Sequence, residues 1–345
     1  MTRPDPTTAR QGATARALLA AGLLACASLP AARAETSQLR VAEQFGIGYL
    51  PLQMMNEHML IEKHAKAAGL GEVKVTWAQF GGGSAMNDAL LSGNLDFASG
   101  GVGPLLTIWD KTKGNIDVMG VAALNSMPLY LTSNNPKVKS IRDLTDQDRI
   151  ALPAVKVSIQ ARTLQMAAEK AFGEGKFDAL DKLTVSMKHP DGLAALLSGK
   201  SEITAHFTSA PFMYQELADP RIHKILSSYD VLGGPATFNC LWARASFRKD
   251  NPKLYRAFVD ALGEAMTMIA ADKKAAAAVF IKQNKSKLDP AFVEKIVADP
   301  ENDFTMTPQQ TMKYAEFMHK VGALKNQPAS WKDYFFPEVQ NLPGS

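Results

Sequence analysis

The hydrophobic pattern of the chain alternates between short strand-like segments and longer stretches with helical spacing. Residues 73–77 (Val-Lys-Val-Thr-Trp) and 183–187 (Leu-Thr-Val-Ser-Met) are strand-like. Each precedes a predicted helix that ends in Leu-Leu-Ser-Gly, at 90–93 in one case and at 196–199 in the other. A strand, a helix and a further strand in this order require a parallel sheet that is covered by helices.

The two units are copies of one element. Residues 89–98 (Ala-Leu-Leu-Ser-Gly-Asn-Leu-Asp-Phe-Ala) return 106 residues later, at 195–204, as Ala-Leu-Leu-Ser-Gly-Lys-Ser-Glu-Ile-Thr. The glycine of each copy suits the left-handed position that closes a helix. Asp96 and Glu202 both fall at the turn into the next strand. Two such units about 100 residues apart predict two similar α/β lobes. The chain of 345 residues is also longer than the roughly 250–300 residues that a single hydrophobic core usually serves.

The boundaries of the lobes follow from the breaks in this pattern. A Gly-Gly-Pro break at 233–235 precedes a strand at 238–243 that could return the chain to lobe one. From residue 250 onward the pattern is helical, with capping residues before prolines at 251–252, 289–290 and 307–308. We predict lobe one at 35–126 and 235–345, and lobe two at 127–234.

Residues 1–34 have the pattern of a secretory signal peptide. A polar segment with three arginines precedes a 13-residue apolar run, Ala17 to Leu29, and Ala-Arg-Ala at 32–34 is the small-x-small pattern of a cleavage site. The alternative is lipoprotein processing at Cys26, since Leu-Leu-Ala-Cys resembles a lipoprotein box. Cleavage after Ala34 is favoured and leaves a single cysteine, Cys240, which fits a bacterial periplasm.

Charge and motifs narrow the function classes. The first 34 residues account for three of the four net positive charges, and the nearly neutral remainder lacks the basic footprint of a nucleic-acid-binding protein. Gly-Lys-Ser at 199–201 lacks the earlier glycine of a phosphate-binding loop, and Gly-x-Gly at 46–48 and 101–103 lacks the third glycine of a dinucleotide fingerprint. The histidines show no metal-binding pair at helical spacing. We predict neither an enzyme nor a cofactor.

Two predicted helix starts are suited to an anion. Gly-Gly-Gly-Ser at 81–84 follows a strand and opens a helix, and residues 153–160 offer a similar opening in lobe two. Free amides of the first turn and the helix dipole favour a negative group there. The predicted ligand-binding residues follow these starts and the strand ends: Gln44, Phe45, Tyr49, Gly82, Gly83, Ser84, Gly101, Lys156, Ser158, Gln160, His206 and Asn239.

Each of these residues also has a purely structural interpretation. Ser84 and Ser158 could act only as helix caps, and Phe45 could merely pack. His206 could be a buried, hydrogen-bonded histidine of the core. These alternatives stay open at the level of the sequence.

The order of motifs resembles a known family. The pattern Gly-Ser-x-x-x-Asp-Ala-Leu-x-Ser-Gly-x-x-Asp-Phe over 83–97 is similar to a signature of the periplasmic binding proteins for nitrate, sulfonate and taurine, a group that includes binders of the thiamine pyrimidine precursor. The resemblance extends over about 38–285. It implies a type II periplasmic-binding-protein fold: two lobes, each a mostly parallel sheet covered by helices, with a helical C-terminal region. The chain departs from the family at 153–157, where a glycine-rich opening is usual.

The resemblance also implies a function. A monomeric, hinge-closing receptor of this kind captures a small anionic solute and delivers it to an inner-membrane ABC permease and its ATPase. The alternative that stays open is a pyrimidine-precursor binder or biosynthetic enzyme on the same fold.

Cleavage after Ala34 is directly testable. The intact mass of the protein recovered from the periplasm should correspond to a chain that begins at Glu35. A terminus at a diacylglyceryl-modified Cys26 would establish the lipoprotein alternative.

Overall fold

Two five-stranded sheets form the framework of the molecule. The strands are β1 (Gln38–Glu43), β2 (Lys74–Gln79), β3 (Phe97–Gly101), β4 (Val118–Ala123), β5 (Tyr130–Ser133), β6 (Ile150–Leu152), β7 (Thr184–Ser186), β8 (Ala205–Thr208), β9 (His223–Ser227) and β10 (Asn239–Arg244). The first sheet has the order β2-β1-β3-β10-β4 and the second has the order β7-β6-β8-β5-β9. In each sheet four strands run in one direction and one, β10 or β5, runs antiparallel to its neighbours.

Helices cover these sheets and form most of the C-terminal region. They are α1 (Leu50–Glu57), α2 (Leu60–Ala67), α3 (Gly83–Leu91), α4 (Val102–Thr112), α5 (Ile159–Phe172), α6 (His189–Ser198), α7 (Phe212–Leu217), α8 (Ser228–Leu232), α9 (Ala245–Asp250), α10 (Pro252–Ala271), α11 (Lys273–Gln283), α12 (Pro290–Ala298) and α13 (Thr311–Lys320). Strand–helix–strand units connect the parallel strands, as the repeat in the sequence predicts.

The structure is a computed structural model that describes residues 1–2 and 34–345. The predicted signal peptide therefore lies almost wholly outside the described residues and stays a prediction. None of the helices within the described residues is both long enough and apolar enough to span a bilayer.

The chain crosses between the sheets at two adjacent positions. Ser126, between β4 and β5, pairs with Thr237, just before β10, in an antiparallel bridge. A third segment braces this crossing, because Ser126 also pairs with Asp303, and the Thr237 amide donates to the carbonyl of Gln309 at 3.0 Å. Each sheet thus falls within one of the predicted lobes, and whether the lobes move as separate bodies stays a prediction.

The brace explains where the helix prediction was wrong. The prolines at 252 and 290 do begin α10 and α12. Thr307 and Pro308 begin no helix, because this segment bonds to the crossing strands, and α13 starts only after Gln310. The N-terminus of α10 is bound by Glu35, whose carboxylate accepts from the amides of residues 253 and 254 at 3.0 and 2.8 Å.

The core of the first sheet is aromatic. Phe97 stacks on Phe258 with ring centroids 3.8 Å apart, and Trp242 is fully buried with its indole N–H donating to the Asn87 side-chain oxygen at 3.0 Å. Cys240 is fully buried, and burial raises the pKa of its thiol. A protonated thiol inside the core has a structural role.

The two copies of the repeated turn differ in their contacts. Asp96 is only 4% exposed and accepts from the Arg40 backbone amide at 2.9 Å and from its guanidinium Nη2 at 2.8 Å. Glu202, its counterpart, is exposed. The buried carboxylate therefore ties β1 to the end of its repeat, whereas the exposed one faces solvent.

Substitution of these two residues should separate their roles. Asp96→Ala should lower the free energy of unfolding by about 2 kcal/mol, because the half-exposed guanidinium and the backbone amide of Arg40 lose the carboxylate that accepts from them. Glu202→Ala, the matched control, should change it by less than about 0.5 kcal/mol. Urea unfolding of both variants measures this, and equal effects would contradict the assignment.

Candidate functional site

Four helix N-termini converge between the sheets. Helices α3 and α4 follow β2 and β3 of the first sheet, and α5 and α6 follow β6 and β7 of the second. Parallel strands end at the same edge of a sheet, so these helices begin at the facing edges. Each helix N-terminus offers free amides and about half a positive charge. In the described structure no side chain caps α3, α4 or α6.

These helix starts enclose a small cavity. Its free volume is about 10 Å³, room for about one water molecule. It is lined by residues of both sheets: Gln44, Phe45, Tyr49, Gly83, Gly101, Pro104, Pro153, Ser158, Ile159, Gln160, His189 and Phe238. Among these lining residues there is no Lys, Arg, Asp or Glu. The lining side chains therefore add no permanent charge to the backbone dipoles of the helix starts.

Glycine allows the two sides to meet this closely. A Cβ atom on Gly101 would lie 2.5 Å from the Ile159 side chain, and one on Gly82 would lie 3.0 Å from the Pro153 carbonyl oxygen. The first distance is shorter than real Cβ atoms show. A side chain at Gly101 would hold the two helix starts apart.

The structure brings seven of the twelve predicted ligand-binding residues to the cavity wall. They are Gln44, Phe45, Tyr49, Gly83, Gly101, Ser158 and Gln160. Five predicted residues do not line it: Gly82, Ser84, Lys156, His206 and Asn239. That any of the seven binds a solute stays a proposal.

Two of these five residues, Asn239 and His206, contact side chains that line the cavity. Asn239 is fully buried, and its side-chain amide donates to the Tyr49 hydroxyl oxygen at 2.9 Å. Burial raises the pKa of Tyr49 well above its ordinary value, so the phenol keeps its proton. Because the oxygen already accepts from Asn239, this proton is free to face the cavity. His206 lies behind His189 in the same way.

Neither Ser84 nor Lys156 lines the cavity, and their binding of a solute stays a prediction. Ser84 is the second residue of α3, and the N-cap position belongs to Gly82, so Ser84 is neither a cap nor part of the wall. Lys156 is exposed, with a left-handed backbone (φ 62°) in the turn before α5. Ser158 does cap α5, because its hydroxyl oxygen accepts from the Ala161 amide at 3.2 Å. Its own proton is free for another partner.

Sequence reasoning did not include His189 in the site. This residue is the first of α6, only 6% exposed, and it lies against Gln160, with their Nε2 atoms 3.2 Å apart. The repeat contained the signal, since the offset of 106 residues that relates the two copies carries Gly83 onto His189. Equivalent positions of the two repeats thus face one another across the cavity.

A wider groove adjoins the cavity at Phe45. Its volume is about 600 Å³, and Phe45 lines both spaces. Its wall combines apolar side chains with two lysines of the loop that follows α11: Phe212 on α7, Phe280 on α11 and Leu288 in the loop, with Lys285 and Lys287. The cavity is therefore adjacent, at Phe45, to a mostly apolar space.

The environment of His189 predicts a pH-dependent stability. Burial, and secondarily the nearby His206, lowers the pKa of His189 well below its ordinary value of 6.5. Below that pH the unfolded chain binds a proton that the folded chain does not. The free energy of unfolding should therefore decrease as the pH falls below 6.5, by up to about 1.4 kcal/mol per pH unit from this residue.

His189→Gln removes this titration, so urea unfolding at pH 7 and pH 5 should show a smaller decrease than in the wild type. The matched control is His58→Gln, since His58 is exposed and should leave the wild-type slope unchanged. Identical slopes for all three proteins would contradict the assignment.

Comparisons with known proteins agree with this architecture. No curated protein matches the chain significantly in sequence. The alkanesulfonate-binding protein SsuA from Xanthomonas axonopodis pv. citri, bound to MOPS, is 18% identical with a TM-score of 0.68, covering 85% of this chain and 96% of its own. The periplasmic aliphatic sulphonate binding protein SsuA from Escherichia coli is 17% identical with a TM-score of 0.63, covering 88% and 99%. The periplasmic nitrate-binding protein NrtA from Synechocystis PCC 6803 is 16% identical with a TM-score of 0.68, covering 87% and 84%.

At these identities the solved structures establish the fold. The periplasmic-binding-protein fold predicted from the sequence is confirmed, with two mixed sheets covered by helices. The model of the NMT1-like family matches residues 33–282, which is more than half of the chain. The protein therefore belongs to the NMT1-like family.

Proposed function

We propose that this protein is a periplasmic receptor that binds a small anion between its two sheets and delivers it to an ABC importer. The observation that carries the proposal is the convergence of four helix N-termini, two from each sheet, on one cavity. Amides of the first helical turn donate to an anion, and the helix dipoles stabilise its charge. Contacts from both sheets would make the bound solute a bridge between them.

The side chains of the wall supply further donors. The hydroxyls of Tyr49 and Ser158 each accept a bond from the protein, which leaves their protons available. The side-chain amide of Gln44 donates to the Ser99 carbonyl at 3.1 Å and has a second N–H. A charge-neutral wall of this kind binds an anion through hydrogen bonds and dipoles, without an ion pair.

The adjoining groove favours an organic anion over a purely inorganic one. A sulfonate or carboxylate head fits the polar cavity, and an apolar substituent extends past Phe45 toward Phe212 and Phe280. Nitrate, which has no substituent, would use the cavity alone. We therefore place an aliphatic sulfonate or carboxylate before nitrate.

Binding, not catalysis, is the proposed activity. The structural neighbours are named as binding proteins, and two of them as periplasmic. The predicted signal peptide agrees with a periplasmic location, and the proposed partners are an inner-membrane permease and its ATPase. The receptor would act as a monomer.

Calorimetric titration with nitrate, ethanesulfonate and butyrate tests the proposal. We expect at least one to bind, and Ser158→Ala should weaken that binding about 10- to 150-fold, because a hydrogen bond to a charged group is worth about 1.5–3 kcal/mol. Ser84→Ala is the matched control, since Ser84 is the second residue of α3 and does not line the cavity, and should change affinity less than threefold (roughly 0.6 kcal/mol). Loss of the α5 cap also costs about 1 kcal/mol of stability, which the melting temperature without solute reports separately.

Small-angle scattering tests closure of the lobes. A cavity of about 10 Å³ admits none of these anions, so entry requires the facing edges to separate about the crossing at Ser126 and Thr237. The radius of gyration should decrease when the bound anion is added. An unchanged radius at saturation would contradict closure of the lobes, and the absence of binding by any of the three anions would overturn the receptor proposal.

A further inference from the structure

A row of buried polar side chains leads from the second sheet to the cavity. Glu216 on α7 contacts His206 on β8, with Oε1 2.5 Å from Nδ1. His206 Nε2 lies 3.0 Å from Nδ1 of His189, whose Nε2 lies 3.2 Å from the Gln160 side-chain nitrogen. Glu216 and His206 are fully buried, and His189 and Gln160 are 6% and 2% exposed. The last two residues line the cavity.

The close contact with His206 is built into the packing of α6. Gly192 lies three residues after His189 on α6. A Cβ atom at this position would be 2.6 Å from His206 Nε2. Only a glycine leaves room for the imidazole at this point. Thr132 completes the environment, with its hydroxyl 2.6 Å from Glu216 Oε2.

The charge of Glu216 determines where the protons lie. A fully buried carboxylate without a counter-charge costs several kcal/mol, so burial favours a Glu216–His206 pair that is neutral as a whole. In a neutral pair one proton lies between Glu216 Oε1 and His206 Nδ1, bonded to either atom. In either arrangement the Nε2 atom of His206 carries a hydrogen.

This hydrogen sets the tautomer of His189. His206 Nε2–H donates to His189 Nδ1, which must therefore be unprotonated. The hydroxyl of Thr208, 3.0 Å from the same nitrogen, can donate to it as well. His189 then carries its hydrogen on Nε2, at the cavity wall. There it faces the Gln160 side-chain NH₂, with the two nitrogens 3.2 Å apart. These two donors cannot bond to each other, and a single acceptor placed between them would satisfy both.

The opposite polarity has a definite cost. If Gln160 donated to His189 Nε2, then His189 Nδ1–H would donate to His206, and His206 Nδ1–H to Glu216. All hydrogen bonds would be made, but Glu216 would keep a full negative charge inside the sheet. The buried charge makes this arrangement the less stable one.

We propose that the Glu216–His206 pair is a positioning device that fixes His189 as a hydrogen-bond donor to the solute. The solute atom bound between His189 and Gln160 is then an acceptor, such as an ionised sulfonate or carboxylate oxygen, and a hydroxyl or amine donor is disfavoured there. This inference rests on the proposed anion-binding function. It adds a side-chain donor, His189 Nε2–H, to the backbone amides that the helix N-termini supply.

The tautomer can be measured without any solute. In protein labelled with ¹⁵N-histidine, long-range ¹H–¹⁵N spectra distinguish a protonated ring nitrogen from an unprotonated one, and His189→Gln assigns the signals. We expect His189 at pH 7 to be protonated at Nε2 and unprotonated at Nδ1. Protonation at Nδ1 would overturn the proposal.

A variant of the pair tests the cause. His206→Phe keeps an aromatic ring at this position but removes the N–H donor, so His189 should populate both tautomers. Affinity for whichever of nitrate, ethanesulfonate or butyrate binds the wild type should fall about tenfold. His58→Phe, at an exposed position, should change neither. An unchanged His189 spectrum in His206→Phe would show that the pair does not set the tautomer.

A second variant tests the same point if His206→Phe does not fold. Gly192→Ala favours the helix intrinsically yet displaces His206, so it should give the same spectral change. If no anion binds the wild type, the proposed function fails, while the tautomer spectrum still decides whether Glu216 and His206 orient His189.

Discussion

The facing edges of the two sheets depend on one electrostatic constraint: free amides at helix N-termini need an acceptor. Four helices place these amides around a single cavity, and no ionised side chain belongs to its wall. The rest of the architecture serves this arrangement. Parallel strands bring the helix starts to one edge, glycines let the edges approach, and the crossing at Ser126 and Thr237 keeps them opposed.

The two halves meet this constraint differently. In the first sheet, Gly83 opens α3 and presents backbone to the cavity. At the equivalent position of the second sheet, His189 opens α6 and presents a side chain. A duplicated element has thus kept its helix start while the residue at that start differs. One face of the cavity therefore offers only backbone amides at this position, and the other offers the His189 imidazole, whose hydrogen bonds have a fixed direction.

Much of the fold could be predicted from the sequence because the repeat is local and its physics is simple. Leu-Leu-Ser-Gly closes a helix in both copies, and the strands on either side follow from their composition. Seven predicted ligand-binding residues reach the cavity wall for the same reason: residues that follow parallel strands share an edge. The failures depend on tertiary contacts. Pro308 looks like a helix start, but its segment bonds to strands that are distant in sequence.

The site shows the same limit at finer scale. Serine is a common N-cap residue, yet the N-cap of α3 is Gly82, two positions before Ser84, and Ser84 does not line the cavity. His206 lies in the core, as its structural interpretation held, but it contacts the wall through His189. Sequence alone cannot distinguish such support from direct contact, because the two differ by a single side-chain length.

The tightness of the closed cavity has a kinetic consequence. With a volume of about 10 Å³ and Gly101 packed against Ile159, the cavity has room for about one water molecule while the edges stay together. If the proposed receptor closes on its solute in this way, the solute cannot dissociate faster than the facing edges separate. A transporter that held the edges apart would remove the contacts from one sheet and so speed the release of the solute.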